Sequence, residues 1–299
     1  MKQDRKDFIG GSDIASVMGF SRAKTPLQLW AEKAGEVEPA DLSEVEAVEM
    51  GHELEETVAR LFTKRTGLKV RRAPKNYVYS SKATGELPYF RCQVDRLVQG
   101  TDELLECKTC SAWKLKEWDD EEIPTEYILQ VMWQLGITGR SVGHIAVLIG
   151  GQTFKYKKID FDPSLFDDMI KQALVFWLMV EYKTPPMATG DDNKFMVDLY
   201  PDNEEQMQQL DELNDSVALR QQLKGTLAET QEQINEVEAR IKQVIGDNLG
   251  FTTQEYKVTW KTQVSNRIDT KLIKEEQPEI YNRYVFPSKS RVLRITKNK

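Results

Sequence analysis

The chain has 299 residues, 40% apolar and 30% charged, with a net charge of −7, enough for one large domain or two smaller ones. No apolar run reaches the ~18–20 residues of a membrane span, and Met1-Lys-Gln-Asp-Arg-Lys-Asp leads into no secretory core. Three cysteines and two histidines exclude a disulfide framework and most multi-histidine metal enzymes, so a cytoplasmic protein using carboxylates, lysine and hydroxyls is expected.

In chain order, Ser12 is expected to cap a short helix over 13–18. Thr25-Pro26 pairs a capping hydroxyl with proline at the first helical position and opens a helix over 27–33. A longer helix is expected over 43–66. It is followed by the basic run Lys64-Arg65, Lys69, Arg71-Arg72 and Lys75, which suits either a solvated surface or nucleic acid. Strands are expected over 89–98 and 103–109, joined by Gly100-Thr-Asp, then a helix over 125–138. A strand over 144–149 ends at Gly150-Gly151, and 153–161 returns antiparallel to it. An apolar helix over 165–182 stops before Thr184-Pro185-Pro186, which reads as a domain exit.

Charge divides the chain in the same way. Residues 1–186 carry 25 Lys and Arg against 29 Asp and Glu, residues 187–250 carry 5 against 14, and residues 251–299 carry 11 against 5. In the acidic part, Leu227, Ile234, Val237, Ile241 and Val244 follow helical spacing, as one amphipathic helix or a hairpin hinged at Gly225. The basic tail suggests a strand over 256–261, a helical piece over 270–284 and a closing strand over 291–295. With Trp260, Tyr281 and Tyr284 this tail suits DNA contact or a small packed α+β appendage.

The chemically informative stretch is Asp95 followed by Glu106-Cys-Lys108. Strand residues two apart share a face, so Glu106 and Lys108 point together while Cys107 points away. Two carboxylates and a lysine then converge, and hard cations want such oxygens. A lysine beside them can hold attacking water or offset charge on a phosphate. The bland reading is a surface hairpin with an ion pair. Glu55, in Gly51-His-Glu-Leu-Glu55, borders an apolar helix face of Val58, Leu61 and Phe62, although nine acids fall between Glu36 and Glu56. Tyr127 and Gln130 share a helix face and, with Gln134, make a polar stripe beside apolar residues.

The order Gly10-Gly-Ser12-Asp-Ile-Ala, Gly51-x-x-x-Glu55, Asp95, Glu106-x-Lys108, Tyr127-x-x-Gln130 and Thr138-Gly139 resembles the YqaJ-type viral recombinase nucleases. These are relatives of lambda exonuclease in the PD-(D/E)xK superfamily. The resemblance spans about residues 5–182, and Val94 stands where that signature often has proline. It implies an α/β fold with a restriction-endonuclease-like core, a mixed sheet flanked by helices, over residues 1–186. The helical region 187–250 and a small α+β tail over 251–299 would follow. It further implies Mg²⁺-dependent 5′→3′ digestion of one strand of linear duplex DNA, with Mn²⁺ as a substitute, to leave a 3′ overhang for recombination by annealing. Asp95 and Glu106 would ligate the metal with Glu55 and the Cys107 backbone carbonyl. Lys108 would position water, and Tyr127 and Gln130 would line the site. Ser12 would bind the 5′-phosphate at a helix N-terminus, with Arg5 and Arg22 beside it. A single-strand annealing partner, a homo-oligomer (a trimer) and a bacterial or prophage origin belong to the same resemblance.

Three alternatives stand beside it. Cys107-Lys-Thr-Cys110 with Cys92 could hold zinc or an iron–sulfur cluster, although three cysteines fall short of four. The protein could also be a site-specific restriction endonuclease, or a non-catalytic DNA-binding scaffold with no need for the Asp95, Glu106 and Lys108 trio.

Overall fold

The computed structural model describes residues 5–74, 76–82, 85–118, 123–287 and 290–297. Lys75 of the basic run and the first four residues of the chain lie outside these. The chain divides into two compact units, Met1–Pro201 and Asp202–Lys299.

The first unit opens with helices α1 (Ile14–Val17), α2 (Pro26–Ala34) and α3 (Glu46–Thr66). Thr25 caps α2 as expected. Its hydroxyl accepts from the Gln28 amide, and the Gln28 side chain returns a bond to the Thr25 backbone. Strands β1 (Val70–Arg72), β2 (Tyr77–Ser81), β3 (Gly85–Cys92), β4 (Arg96–Val98) and β5 (Glu103–Cys110) follow. Then come helix α4 (Thr125–Thr138), strands β6 (Val142–Ile149) and β7 (Thr153–Asp160), and helix α5 (Pro163–Glu181). Asp162 caps α5, accepting from the Ser164 and Leu165 amides.

Five strands form one mixed sheet, ordered β1-β4-β5-β6-β7, and β2 pairs with β3 separately. β5 and β6 run parallel while the other three pairings are antiparallel. Parallel neighbours need a crossover, and α4 supplies it. On the α4 side of the sheet Leu104, Ile145 and Val147 pack with Leu129, Val131 and Leu135. On the other side Leu105, Ala146 and Leu148 pack with Val58, Ala59 and Phe62 of α3. The expected α/β architecture, a mixed sheet flanked by helices, is therefore present. Gly143 sets how close α4 sits, because a Cβ there would meet Val131 Cγ1 at 2.3 Å.

The expected strand over 89–98 is two strands. β3 belongs to the small sheet and β4 to the large one, with a break at residues 93–95. The Asp95 side chain accepts the Cys107 amide hydrogen, a bond a continuing β4 backbone would otherwise seek.

The first unit also continues past Pro185-Pro186. Asp192 is fully buried and accepts from the Thr25 hydroxyl and from the Thr189 amide. Helix α6 (Phe195–Leu199) packs Phe195, Met196 and Leu199 against the core.

In the second unit, α7 (Asn214–Ile245) runs unbroken through Gly225, so the single-helix alternative holds. Leu223, Leu227, Ile234, Val237 and Val244 on it are exposed. A hairpin of β8 (Gly250–Thr252) and β9 (Lys257–Thr259) follows. The helical piece over 270–284 is two helices, α8 (Thr270–Glu276) and α9 (Pro278–Tyr284), divided where Pro278 cannot continue the first. The expected closing strand over 291–295 does not form: a strand needs a hydrogen-bonded neighbour, and β8 and β9 pair only with each other among the described residues. No described helix is long and apolar enough to cross a membrane.

Candidate active site

Glu106 and Lys108 lie on the α4 side of β5, in line with Leu104. Glu106 is 4% exposed, a cost that burial imposes on any carboxylate without partners. It has three. Lys108 Nζ lies 2.8 Å from Oε1, the Gln130 side-chain amide also donates to Oε1, and Gln134 Nε2 donates to Oε2 at 2.7 Å. Lys108 Nζ in turn donates to Gln130 Oε1 at 2.9 Å. Gln130 therefore bridges the acid and the lysine with its two ends. The Lys108 ammonium also stands 5.3 Å from the Tyr127 ring centroid, within cation–π range. Burial acts against this ammonium, but Glu106 and then Asp95 outweigh it and hold its pKa above the ordinary lysine value.

Asp95 sits in the break before β4. Its Oδ2 accepts from the Cys107 amide at 2.7 Å, which ties it to the peptide joining Glu106 to Cys107. Burial, and next the charge on Glu106, push the Asp95 carboxyl up to about 8; the Cys107 amide pulls the other way. Two acids crowded in a poorly solvated place make a site that gains from an added positive charge.

Arg96 is a residue that the sequence reading missed. Its side chain is 4% exposed and donates to Glu55, to Glu56 Oε2 at 3.0 Å and to the Asp95 backbone oxygen at 2.8 Å. It pins helix α3 to the Asp95 turn. The available signal was a cation directly after the candidate acid, at a strand start. A cleft of about 320 Å³ opens here, lined by His52, Glu55, Glu56, Arg72, Asp95 and Arg96. Of the expected basic run, Arg72 thus faces the site, and it lies 3.8 Å from Glu56.

Among the described residues no three His, Cys, Asp or Glu side chains form a ready-made metal cage. The donor set still fits a hard divalent cation by charge and atom type, because Asp95, Glu106 and Glu55 supply oxygens and a cation would relieve the crowding of Asp95 by Glu106. Glu55 has Arg96 as a partner, and the Cys107 atom joined to Asp95 is its amide nitrogen. The thiols of Cys92 and Cys107 are pushed up by burial, which keeps them neutral. Cys107 lies on the α3 side of the sheet, opposite to Glu106 and Lys108.

The N-terminal segment meets the same cluster. A Cβ on Gly11 would lie 3.4 Å from Gln130 Cγ and 3.7 Å from Gln134 Cγ, so the Gly10-Gly11 backbone rests on both glutamines. Ser12 does not cap α1: Asp13 occupies the N-cap position, and no side chain makes a cap bond. The Ser12 hydroxyl instead accepts from Arg5 Nη2 at 2.8 Å. Asp13 turns back to the Gly10 amide and to buried Lys33, whose Nζ lies 2.8 Å away. Lys33 also donates to the backbone oxygens of Arg5 and Phe8, each at 2.6 Å. This lysine fixes the segment and neutralises an acid beside Ser12, and nothing in its helical context announced it. Arg5 and Ser12 are thus brought together. Arg22 is instead paired with Glu117 at 2.7 Å and is largely exposed.

A family model described as the YqaJ-like viral recombinase domain matches residues 2–141. The protein YqaJ of Bacillus subtilis (strain 168) is 37% identical over 299 residues, covering 94% of this chain and 88% of that protein. Among solved structures, an alkaline exonuclease from Laribacter hongkongensis is 19% identical with a TM-score of 0.49, covering 60% of this chain and 90% of that one. A phage-related exonuclease from Haemophilus somnus 129PT is 13% identical with a TM-score of 0.39, covering 58% of this chain and 94% of that one.

Proposed function

Because the chain belongs to the YqaJ-like viral recombinase family, we propose that it is a metal-dependent exonuclease. It would degrade one strand of linear duplex DNA from its 5′ end and leave a 3′ overhang for recombination by annealing. The observation that carries this reading is the Glu106–Gln130–Lys108 bridge, with Asp95 tied to the neighbouring Cys107 amide.

In this reading Asp95 and Glu106 hold Mg²⁺, or Mn²⁺ in its place, with Glu55 beside them and the Cys107 carbonyl as a further oxygen. Such an ion, when bound, offsets charge on the phosphate and lowers the pKa of water. Lys108 orients the attacking water and offers an ammonium to the charge developing on the phosphate. Gln130 keeps that ammonium in place. Tyr127 gives it an aromatic wall, which restricts where it can swing. Arg96 prevents Glu55 and Glu56 from being left as unpaired acids beside the cleft.

Arg5 and Ser12 are the 5′-phosphate contacts of this reading, and Arg22 joins them by exchanging its bond to Glu117 for the DNA. A terminal phosphate carries more charge than an internal diester, so cations and hydroxyls can select an end without reading bases. Gly11, next to Ser12 in the chain, rests on Gln130, and this supports a phosphate-binding group close to the hydrolytic one. A single-strand annealing protein as partner and a trimeric ring rest on the family alone. Linear duplexes labelled at either 5′ or 3′ ends test the polarity. Progressive loss of the 5′ label first supports it, and discrete internal fragments would identify a restriction-type endonuclease instead.

A further inference from the structure

Gln134 on α4 is buried, and its side-chain amide joins two parts of the chain. Its Nε2 donates to Glu106 Oε2 at 2.7 Å and to the Gln93 backbone oxygen at 2.9 Å. The first acceptor is the carboxylate on β5. The second belongs to the break at 93–95 that carries Asp95. An amide nitrogen has two hydrogens, so both are committed.

Gln134 Oε1 is enclosed and has no hydrogen-bond partner among the described residues. A buried acceptor left alone needs an explanation. Turning the amide over gives none, because Oε1 would then face a carboxylate oxygen and a carbonyl oxygen with no hydrogen between them. The two acceptors therefore dictate the orientation, and the orphaned oxygen is the consequence of serving both. Enclosed in this way, Gln134 acts on the site only through Glu106 and the break.

These bonds close a ring. From Gln134 it runs through the Glu106 carboxylate, along the chain to the Cys107 amide, across to the Asp95 carboxylate and back along the break to Gln93. Asp95 and Glu106 are thus held from two sides, by the Cys107 amide and by Gln134. The second hold stands on a rigid support, since Val131 and Leu135 of α4 are buried against the sheet. Trp133, beside Gln134, donates to the Arg91 backbone oxygen at 2.9 Å, so the chain entering the break has another anchor on the same helix.

We infer that Gln134 is a positioning residue that sets the separation of the Asp95 and Glu106 carboxylates and so tunes the pair to a small divalent cation. The inference rests on the metal-dependent reading for the identity of the ligand. Mg²⁺ demands near-ideal placement of its oxygens, whereas Ca²⁺ accepts displaced ones. Selectivity between the two ions therefore reports on the separation, and a merely structural role would leave it unmoved.

The test is the affinity of the full chain for Mg²⁺ and for Ca²⁺, by calorimetric titration without DNA, in wild type, Gln134→Met and Gln134→Asn. Melting temperatures are recorded in EDTA. Gln134→Met keeps the length and loses both donors. Gln134→Asn keeps the amide but is one methylene short of reaching both acceptors. Groups that orient metal ligands typically carry about 10–100-fold in metal affinity. Both variants are expected to lose at least about tenfold in Mg²⁺ affinity, with a smaller loss for Ca²⁺. Single-turnover cleavage should need correspondingly more Mg²⁺ to reach half its maximal rate. A lowered melting temperature with unchanged Mg²⁺ affinity would make Gln134 an ordinary core residue and overturn the inference. Equal losses for the two ions, or failure of both variants to fold, would overturn it as well. Wild type that takes up neither ion would defeat the metal reading and this inference together, whereas variants that match a metal-binding wild type would defeat this inference alone.

Discussion

Asp95 accepts the backbone hydrogen of Cys107 at 2.7 Å, so the acid that precedes β4 is anchored to the strand that carries Glu106. This bond makes the pairing of the two carboxylates a property of the backbone. Asp95→Asn and Glu106→Gln are expected to stay folded, since each keeps a side chain able to accept or donate there. Both should lose cleavage by at least ~10²-fold, the effect of removing one electrostatic element from a preorganised site. Circular dichroism and single-turnover cleavage check this, and near-normal turnover in either variant would remove that residue from the site.

The raised Asp95 pKa, at about 8, gives a stability trend in metal-free protein. Unfolded, this carboxyl ionises near 4. Between those values the folded state binds the extra proton, so stability falls as pH rises through that window. Metal-free melting temperature should therefore decline from pH 5 to pH 8, and the decline should flatten in Asp95→Asn. Mg²⁺ should raise it more at pH 8 than at pH 5. An identical pH profile in the Asn variant would contradict the crowded-acid description.

Arg96 is the structural cation of the cleft. Breaking a buried pair by removing one partner costs about 3–5 kcal/mol, and the partial exposure of Glu55 and Glu56 reduces this to roughly 2–3 kcal/mol for Arg96→Met. Thermal unfolding should show a fall of about 5–10 °C. A variant with unchanged melting temperature would mean that the pair contributes little, whatever its geometry.

Lys33 should govern end recognition at a distance. Lys33→Met releases the backbone at Arg5 and Phe8 and leaves Asp13 unpaired beside Ser12. The ratio of cleavage rates on 5′-phosphate and 5′-hydroxyl ends should narrow, as it should in Ser12→Ala. Equal rates on both ends in the wild type would remove the phosphate pocket.

Sequence patterns exposed the elements with local causes. The Thr25-Pro26 cap, the helix over 125–138 and the alternation that gives Glu106 and Lys108 one face all depend on near neighbours in the chain. The convergence of Asp95, Glu106 and Lys108 was legible because Glu106 and Lys108 share a strand and Asp95 lies close before it. What stayed hidden depends on long-range contacts. Arg96 finds Glu55 across 41 positions, and Lys33 finds Asp13 across 20. The break at 93–95 comes from a side chain taking a ladder bond, which no periodicity records. The domain exit was placed at Pro185-Pro186 because prolines end helices, whereas Asp192 holds the following segment to Thr25.

That last contact changes where the chain can be cut. A chain ending at Pro201 should remain folded and retain metal-dependent cleavage, because every assigned site residue lies in the first unit. A chain ending at Met187 loses the Asp192 bonds and the cover of Phe195, Met196 and Leu199, and should melt at lower temperature. Comparing both by thermal unfolding and digestion checks the division. A folded but inactive Pro201 chain would show that the second unit completes the site.

The central claim, that Asp95, Glu106 and Lys108 form a cation-dependent hydrolytic site, is tested most directly by one measurement. End-labelled linear duplex is incubated with wild type and with Lys108→Ala, with and without Mg²⁺, under single-turnover conditions and with DNA affinity recorded in parallel. Wild type should digest the duplex only with the metal, and Lys108→Ala should bind nearly as well while cutting at least ~10²-fold more slowly. Digestion by wild type that continues in EDTA, or a Lys108→Ala variant that loses affinity but keeps its turnover, would contradict the claim.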